Sequence, residues 1–341
     1  MSYATLSRQF RLFAEQECVN SSPLYEHLAN KMAADEELLE IASLIPPNQP
    51  APNLLLAAVQ YLLISLKDPL AKYYASFTAT PHPIQGVYPV FKAFVMDHAK
   101  QLKSLFQEKL VQTNEIRRCA YLYPMMTDIY HKHQRPLAFI EIGASAGLQL
   151  GMDHYNYCYN HQLSINNTNN GSIISSENRG ETLPKSVSKP PVVYQRIGID
   201  LNPIDLRQKK ESQWLQALIW PEHHERRLLL NEALPIFSQL EIQLIKGDAI
   251  QLIKEISQTI EEEAMLVVYH THVANQMSLE SRHSLIEQLK EISMKRPLYH
   301  CYNNFFDVQL HQDFLNQGTI QSIRTMERPD GHGRWFQWSN S

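Results

Sequence analysis

The segment at residues 137–147 constrains the fold more than any other part of the chain. It reads Leu-Ala-Phe-Ile-Glu-Ile-Gly-Ala-Ser-Ala-Gly, an apolar run that contains Glu141 near its end and continues into two spaced glycines. The run is long enough for a buried strand, Gly143 permits a tight turn, and Gly147 allows a following helix to pack closely. The segment therefore predicts a strand, a turn and a helix start whose free backbone N–H groups face a ligand.

The glycine spacing argues against two common nucleotide sites. A dinucleotide fingerprint needs glycines at relative positions one, three and six, which here hold Gly143, Ser145 and Leu148. A Walker-type phosphate loop needs Gly-Lys-Ser/Thr, and Gln149 stands where a basic residue would be required. We therefore expect neither a nicotinamide or flavin cofactor nor a phosphate loop.

What remains is the pattern acid-x-Gly-x-x-x-Gly formed by Glu141, Gly143 and Gly147. It resembles the first motif of class I S-adenosylmethionine-dependent methyltransferases. The resemblance implies that the turn, including Ser145, lies against the methionine moiety of the donor and that the acid helps to order the turn. S-adenosylmethionine is accordingly the expected cofactor.

Four further apolar runs follow, and each ends in polar residues. They are 192–199 before Asp200, 242–245 before Asp248, 264–269 before His270-Thr271-His272, and 297–302 before Asn303-Asn304. A carboxylate such as Asp200 at a strand end can bind both ribose hydroxyls in the crevice of an open α/β sheet, although capping of a following helix is the alternative. The methyltransferase resemblance implies that Asp248 meets the adenine amino group.

The end of the chain carries two more strand-like runs. Residues 319–326 and 334–338 are joined by a turn-rich link and predict a terminal antiparallel hairpin. The expected fold class is α/β, a Rossmann-like, doubly wound, mostly parallel sheet of class I methyltransferase type that ends in this hairpin.

The N-terminal part differs in composition from the rest. It is almost free of glycine and shows helical periodicity, for example at 54–66 and 88–111. We expect a helical cap domain at 1–133 over the site edge of an α/β domain at 134–341. Residues 160–191 are rich in Asn, Ser and Pro and predict a mobile loop or hairpin inserted between the first two strands.

Eight sequence phrases resemble the bacterial family known as domain of unknown function 2332. They are Ser-Pro-Leu-Tyr at 22–25, Leu-Leu-Ala-Ala-Val at 55–59, Val-Gln-Thr-Asn-Glu-Ile-Arg-Arg at 111–118, Gly-Ala-Ser-Ala-Gly-Leu at 143–148, Gly-Ile-Asp-Leu-Asn-Pro-Ile-Asp at 198–205, Trp-Pro-Glu at 220–222, Gly-Asp-Ala at 247–249 and His-Gly-Arg-Trp at 332–335. The resemblance spans roughly residues 10–338. It implies the architecture described above, and it implies no particular reaction.

The composition of the chain limits the kinds of partner and the cellular environment that we expect. A net charge of −4 and a pI near 6.4 provide no basic field for a phosphate backbone, so we expect no nucleic acid partner. The four cysteines form no Cys-x-x-Cys pair, which is typical of buried thiols in a reducing cytoplasm. Neither a signal pattern nor an apolar stretch of about 18 residues is present, so no membrane association is expected.

Three groups of residues are candidates for chemistry. On a helix Asn114 would share a face with Arg118, and Glu115 would share one with Gln112. These residues could reach the ligand's carboxylate or the substrate, or could form a structural ion-paired helix. His270 and His272, two apart at a strand end, could face one cleft, where His270 would deprotonate or position the acceptor. His332 and Arg334 in the link before the last strand are candidates for binding an anionic substrate group. No third ligand accompanies the histidines at a recognisable spacing, so no metal is expected.

The predicted function is methyl transfer to a small molecule in the cytoplasm. His270, Asn114 and Glu115 are the predicted catalytic residues, and Arg118, His272, His332 and Arg334 are the predicted substrate-binding residues. The predicted donor site consists of Glu141, Gly143, Ser145, Gly147, Asp200 and Asp248. One alternative is a non-catalytic binding or sensing module with this fold. A second is a serine hydrolase, because residues 143–147 also read Gly-x-Ser-x-Gly after a strand, with Ser145 as nucleophile.

Overall fold

The computed structural model describes residues 2–112, 114–165, 167, 171 and 173–340. Its α-helices are α1 Tyr3–Phe13, α2 Pro23–Met32, α3 Glu36–Ser43, α4 Ala51–Ser65, α5 Val87–Asp97, α6 Ala99–Glu108, α7 Cys119–His133, α8 Lys209–Ala217, α9 His224–Phe237, α10 Ala249–Gln258 and α11 Leu279–Ser293. Its strands are β1 Leu137–Ile142, β2 Asn156–Tyr159, β3 Leu163–Ile165, β4 Ile173–Asn178, β5 Val193–Asp200, β6 Gln243–Lys246, β7 Met265–His270, β8 Leu298–Asn303, β9 Leu310–Asn316, β10 Thr319–Met326 and β11 Trp335–Phe336. Shorter helical turns are a π-helix at Ala14–Cys18 and 3₁₀ helices at Pro69–Tyr73, Ile84–Gly86, Ile116–Arg118, Leu148–His154, Lys185–Ser188 and Val273–Gln276.

The chain forms two compact units. The first contains residues 1–113 and 207–228, and the second contains 114–206 and 229–341. The boundary expected from the sequence was 133/134. In the structure, α7 belongs to the unit that contains the sheet, and residues 207–228 belong to the unit of the N-terminal helices. Neither assignment is visible in local composition, since both depend on contacts between residues far apart in the chain.

The first unit has a helical core. Helices α1 to α6 bury a continuous set of leucine, alanine and aromatic side chains, and Trp214 from α8 is buried in the same cluster. The Gln60 amide, buried in α4, donates to the carbonyl oxygens of Ala217 at 2.8 Å and Ile219 at 2.7 Å. These contacts explain why residues 207–228 fold with the N-terminal part of the chain.

The second unit contains a seven-stranded mixed sheet in the order β10-β9-β8-β7-β1-β5-β6. The five strands from β8 to β6 are parallel, and β9 and β10 complete the sheet as antiparallel neighbours. The expected α/β fold with a mostly parallel sheet is therefore confirmed, and it is consistent with a Rossmann-like arrangement. Strand order reverses beside β1, and an open α/β sheet binds ligands at such a switch point, outside the carboxyl ends of the strands.

Helices cover both faces of this sheet. On one face, α10 and α11 pack on inward-facing residues such as Ile140 and Val268. On the other face, His133 at the end of α7 contacts Tyr299 and Phe314, with a 2.8 Å hydrogen bond to the Tyr299 hydroxyl. Among the described residues, no helix is long and apolar enough to cross a bilayer.

The terminal hairpin predicted from 319–326 and 334–338 is wrong in its pairing. β10 pairs with the preceding strand β9, through a turn at Gln317 and Gly318 whose φ angles are both positive. Two such residues are what a type I′ hairpin turn needs. Trp335–Phe336 instead pairs in parallel with β4 in a separate sheet of order β11-β4-β2-β3.

The predicted insertion at 160–191 contributes to that second sheet. β3 and β4, which lie within it, pair with β2, and Lys185–Ser188 forms a 3₁₀ helix. The predicted mobility also concerned residues 166, 168–170 and 172, which lie outside the described residues.

The helix expected after the glycine turn is a seven-residue 3₁₀ helix at Leu148–His154 instead of an α-helix. The Leu150 carbonyl, which would accept the fourth-residue N–H in an α-helix, accepts from the Arg196 guanidinium. The same guanidinium makes a bidentate ion pair with Asp153 at 2.6 and 2.7 Å. Both partners are buried, at 8% and 6% side-chain exposure, so this pair fixes the segment against β5.

We predict that Asp153→Asn lowers the free energy of unfolding by about 3–5 kcal/mol, because it leaves the buried Arg196 charge uncompensated. The matched control is Glu291→Gln, which breaks the exposed pair with Lys254 and should cost less than about 1 kcal/mol. Urea denaturation followed by circular dichroism measures both values. Equal small losses in the two variants would contradict the anchoring role of the pair.

Candidate functional site

The candidate site lies in the second unit, at the carboxyl edge of the parallel strands. The loop 143–147 follows β1, Asp200 ends β5, and residues 271–272 follow β7. Two segments outside the sheet, 114–118 and 330–334, contact the residues at this edge. The structure therefore brings together most of the site residues predicted from the sequence.

The backbone N–H groups of the glycine loop are all used within the protein. Those of Gly143 and Ala144 donate to the carbonyl of Ile199, and that of Gly147 donates to the carbonyl of Ala144. The Ser145 N–H donates to Asp200 Oδ2 at 2.8 Å, and the Ala146 N–H donates to Asn114 Oδ1 at 3.1 Å. The N–H groups of residues 143–147 are thus already bonded in this structure.

Asn114 also holds the loop, through two hydrogen bonds of its side-chain amide. Besides accepting from Ala146, its amide donates to Ser145 Oγ at 2.7 Å. The expected helical face shared by Asn114 and Arg118 is absent, because Asn114 precedes a short 3₁₀ helix, Ile116–Arg118. In a nucleophile elbow the N–H after the serine completes the oxyanion hole. Here that N–H is bonded to Asn114, whose amide also occupies the serine hydroxyl.

Three residues of the loop have left-handed backbone conformations. Gly143, Ser145 and Gly147 have φ values of +70°, +50° and +72°. A Cβ at position 143 would also lie 2.5 Å from a methyl carbon of Val273, so glycine is required there for space as well as for conformation. A non-glycine residue at positive φ, such as Ser145, is uncommon and is held here by the hydrogen bonds described above.

Asp200 is a structural anchor in addition to a candidate ligand-binding group. Its Oδ1 accepts the N–H of Asn202 at 2.7 Å while Oδ2 accepts that of Ser145. Its carbonyl accepts the N–H of Gly247 at 2.9 Å, which connects the end of β5 to the end of β6. Asp248, next in that segment, caps α10 by accepting the Ile250 N–H at 2.9 Å.

Glu141 is buried inside the sheet beneath the loop. Its register partners are Gly198 on β5 and Tyr269 on β7, and its carboxyl accepts the Tyr269 hydroxyl at 3.4 Å. This hydrogen bond connects β1 to β7, whereas the resemblance had implied a role in ordering the turn. Burial raises the pKa of Glu141 well above its usual range, against the opposing effect of the Tyr269 hydrogen bond.

His270 is enclosed in the interior. It is 0% exposed, its Nε2 lies 3.2 Å from Nε2 of His300, and its ring contacts Tyr302 and Phe305. Burial lowers the pKa of His270 to about 3, so the ring is neutral at physiological pH. His270 lies on the sheet face covered by α10 and α11, so it does not share a cleft with His272.

His272 lies just beyond the strand in a left-handed conformation with φ +62°. Its N–H donates to Asn303 Oδ1 at 2.9 Å, and Asn304 Nδ2 lies 3.2 Å from its Nδ1. Burial, followed by the charge of Arg118, lowers the pKa of His272 to about 3. Side chains two residues apart point the same way only within a strand. Because β7 ends at His270, His272 lies in the following turn and its side chain points elsewhere.

The Arg118 side chain extends from the start of α7 to Thr271, the residue before His272. Its Nε donates to the Gly331 carbonyl at 3.0 Å, and Nη1 lies 3.5 Å from Thr271 Oγ1. Thr271 in turn contacts the Gln149 amide at 3.3 Å. Sequence reasoning missed Thr271 and Gln149 as site residues, since a threonine between two histidines and a glutamine after a glycine turn carry no distinctive signal.

The segment 330–334 adds two charged contacts. The Nδ1 atom of His332 lies 3.0 Å from Oε2 of Glu115, which is almost fully buried, while His332 is half-exposed. Arg334 makes a bidentate pair with Asp330 at 3.0 and 2.7 Å, and these contacts help to lower the pKa of Asp330 to about 2 against the effect of burial. Arg334 is therefore committed to an internal ion pair in this structure.

The described residues contain no group of three or more histidine, cysteine, aspartate or glutamate side chains placed to hold a metal ion. The edge instead presents a carboxylate at Asp200, a guanidinium at Arg118 and an imidazole at His332 around a tightly bonded loop. Such a set of groups can bind a ligand with hydroxyl and carboxylate groups.

The fold is that of an α/β protein with a mostly parallel sheet, consistent with a Rossmann-like arrangement, and the candidate site lies at the switch point of that sheet. Residues 7–338 match the family described as "Uncharacterized protein conserved in bacteria (DUF2332)", and the chain belongs to that family. No curated protein and no solved structure matches the chain.

The buried carboxyl of Glu141 predicts a specific pH dependence of stability. Its folded-state pKa is raised above the unfolded value of about 4.5, so the free energy of unfolding falls as pH rises above that value. Glu141→Gln removes this loss and keeps an acceptor for Tyr269. We expect the variant to gain stability relative to wild type as pH is raised from 4.5 to 8.

Thermal melting across this pH range tests the prediction, with the exposed Glu263→Gln as the control expected to follow wild type. A pH-independent difference between Glu141→Gln and wild type would show that Glu141 is ionised in the folded protein.

Proposed function

We propose that this protein is an S-adenosylmethionine-dependent methyltransferase that acts on a small molecule. The observation that carries the proposal is the hydrogen bond of 2.8 Å between Asp200 and the Ser145 N–H. It joins the acid at the end of β5 to the glycine loop at the end of β1, at the edge where α/β sheets bind nucleosides. We further propose that its fold is of the class I methyltransferase type, preceded by a helical N-terminal domain.

The bonding state of the loop supports a nucleoside ligand without phosphate. Phosphate sites at such loops depend on free backbone N–H groups, and here these groups donate to Ile199, Ala144, Asp200 and Asn114. A sulfonium donor requires no such donors at the loop, because it carries no phosphate. It can pack against the loop without displacing these hydrogen bonds.

The residues present fit the parts of this donor. Asp200 would accept ribose hydroxyls, Asp248 would meet the adenine amino group, and the loop at 143–147 would pack beside the methionine moiety. When bound, the donor supplies an electrophilic methyl group for in-line displacement. The contribution of the protein is to align the two reactants and to exclude water.

A proton acceptor is available in His332 rather than in the enclosed His270. The buried Glu115 carboxylate lies 3.0 Å from His332 Nδ1 and would fix the tautomer whose Nε2 accepts a proton. Glu115 would thus contribute to catalysis by orienting His332, and Asn114 would contribute by holding the loop. In this proposal His272, Arg118 and Arg334 remain candidates for substrate contacts.

The second candidate function is a binding or sensing module that holds a nucleoside without transferring a group. It is favoured by the two backbone N–H groups that already occupy both oxygens of Asp200. In such a module the Asp200 carboxylate would mainly hold the loop and would contribute little to ligand binding. The titration below distinguishes the two functions by how strongly binding depends on Asp200.

We predict that the purified protein binds S-adenosylmethionine and S-adenosylhomocysteine in isothermal titration calorimetry, and does not bind NAD. Asp200→Asn should weaken binding of both ligands roughly 10- to 100-fold, since it removes a charged acceptor for the ribose hydroxyls. Glu263→Gln, an exposed acid at the opposite edge, should bind as wild type does.

Circular dichroism and thermal melting establish that each variant is folded. Unchanged affinity in Asp200→Asn would overturn the ribose assignment and favour the second candidate function. Failure of the folded wild type to bind either adenosyl ligand would overturn the methyltransferase proposal.

A further inference from the structure

Arg118 is a buried cation at the candidate site that forms no ion pair with any carboxylate of the described residues, although the Glu141 carboxyl lies near enough to feel its charge. Arg118 is only 7% exposed. Its hydrogen bonds go to the Gly331 carbonyl and to the Thr271 hydroxyl, both of which are neutral. Among the described residues, no carboxylate lies within ion-pair distance of the guanidinium.

Other largely buried arginines of this unit are neutralised. Arg196 pairs with Asp153, with contacts of 2.6 and 2.7 Å, and Arg324 lies 3.4 Å from Asp128. A guanidinium that is removed from water without an anionic partner is costly to the folded state. The cost at Arg118 is explained if an anionic group from a ligand completes the interaction.

The position of Arg118 indicates which ligand group this is. Its guanidinium contacts Thr271, which follows the carboxyl end of β7. Thr271 in turn contacts Gln149 in the 3₁₀ helix Leu148–His154, which follows the loop after β1. β1 and β7 are the adjacent strands at the switch point, where the crevice of an open α/β sheet opens. Asp200, the candidate ribose acceptor, lies on the other side of β1, at the end of β5.

We propose that the Arg118 guanidinium binds a carboxylate group of the ligand, and that this is the α-carboxylate of the donor's methionine moiety. The inference rests on the proposed function. With the ribose at β5, the amino-acid end of the donor extends along the loop toward β7 and reaches Arg118. The guanidinium offers the paired N–H geometry that carboxylates bind, which a lysine cannot reproduce.

The test compares two ligands that differ in their amino-acid end. S-adenosylhomocysteine carries the amino-acid chain with its carboxylate, and 5′-methylthioadenosine has the same adenosine and thioether but a methyl group in place of that chain. Calorimetric titration of wild type, Arg118→Lys and Arg118→Gln gives the ratio of the two affinities in each protein. The matched control is Arg179→Gln, which changes an exposed arginine that already pairs with Glu177.

We expect wild type to prefer S-adenosylhomocysteine at least about 10-fold, from the strength of a charge-assisted hydrogen bond. The preference should fall to about one in Arg118→Gln and be partly kept in Arg118→Lys, while the affinity for 5′-methylthioadenosine stays constant. That constant affinity also demonstrates that each variant is folded. An unchanged preference in Arg118→Gln would overturn the assignment of the donor's carboxylate to Arg118.

A third ligand separates this inference from the proposed function. If folded wild type binds neither adenosyl compound, the proposed function fails, and malonate then probes the carboxylate site alone. Binding of malonate that Arg118→Gln loses and Arg179→Gln keeps would support a carboxylate site at Arg118 that serves another ligand. Absence of any malonate binding that depends on Arg118 would overturn the inference entirely.

Discussion

The structure of the candidate site depends on the hydrogen bonds by which the side chains of Asp200 and Asn114 hold the glycine loop. Gly143, Ser145 and Gly147 all have positive φ values, so the loop conformation is not one that the chain adopts by local preference. The Asp200 carboxylate accepts the Ser145 N–H, and the Asn114 amide bonds both Ser145 Oγ and the Ala146 N–H. These bonds shape the edge where Arg118 and the other site residues meet.

Much of the parallel sheet was predictable, because its signals are local. Each central strand is an apolar run that ends in polar residues, as buried parallel strands require. The predictions failed where pairing depends on distant partners. β9, with the mixed pattern Leu-His-Gln-Asp-Phe-Leu-Asn, was not predicted from the sequence, although it forms the hairpin with β10. Trp335–Phe336 pairs with β4, which no local pattern near either segment indicates.

Prediction of the site residues was limited in the same way, by contacts between residues far apart in sequence. Positions at strand ends identified Asp200 and the loop, because the carboxyl ends of parallel strands share one edge. The sequence could not indicate that His270 points into the covered face, since the register that sets its direction is a property of the assembled sheet. The contacts of Glu115 with His332 and of Arg118 with Thr271 join residues far apart in sequence, so only the folded chain reveals them.

The central claim is that an adenosyl ligand binds at the carboxyl edge of the sheet, over the loop that Asp200 and Asn114 hold. Hydrogen–deuterium exchange of the full chain, with and without saturating S-adenosylhomocysteine, tests this location directly. The account predicts slower exchange in peptides that cover 114–118, 143–147 and 198–206, with little change at the opposite edge around Arg135 and Arg296. Slower exchange confined to that opposite edge, or no change at any of these peptides, would contradict it.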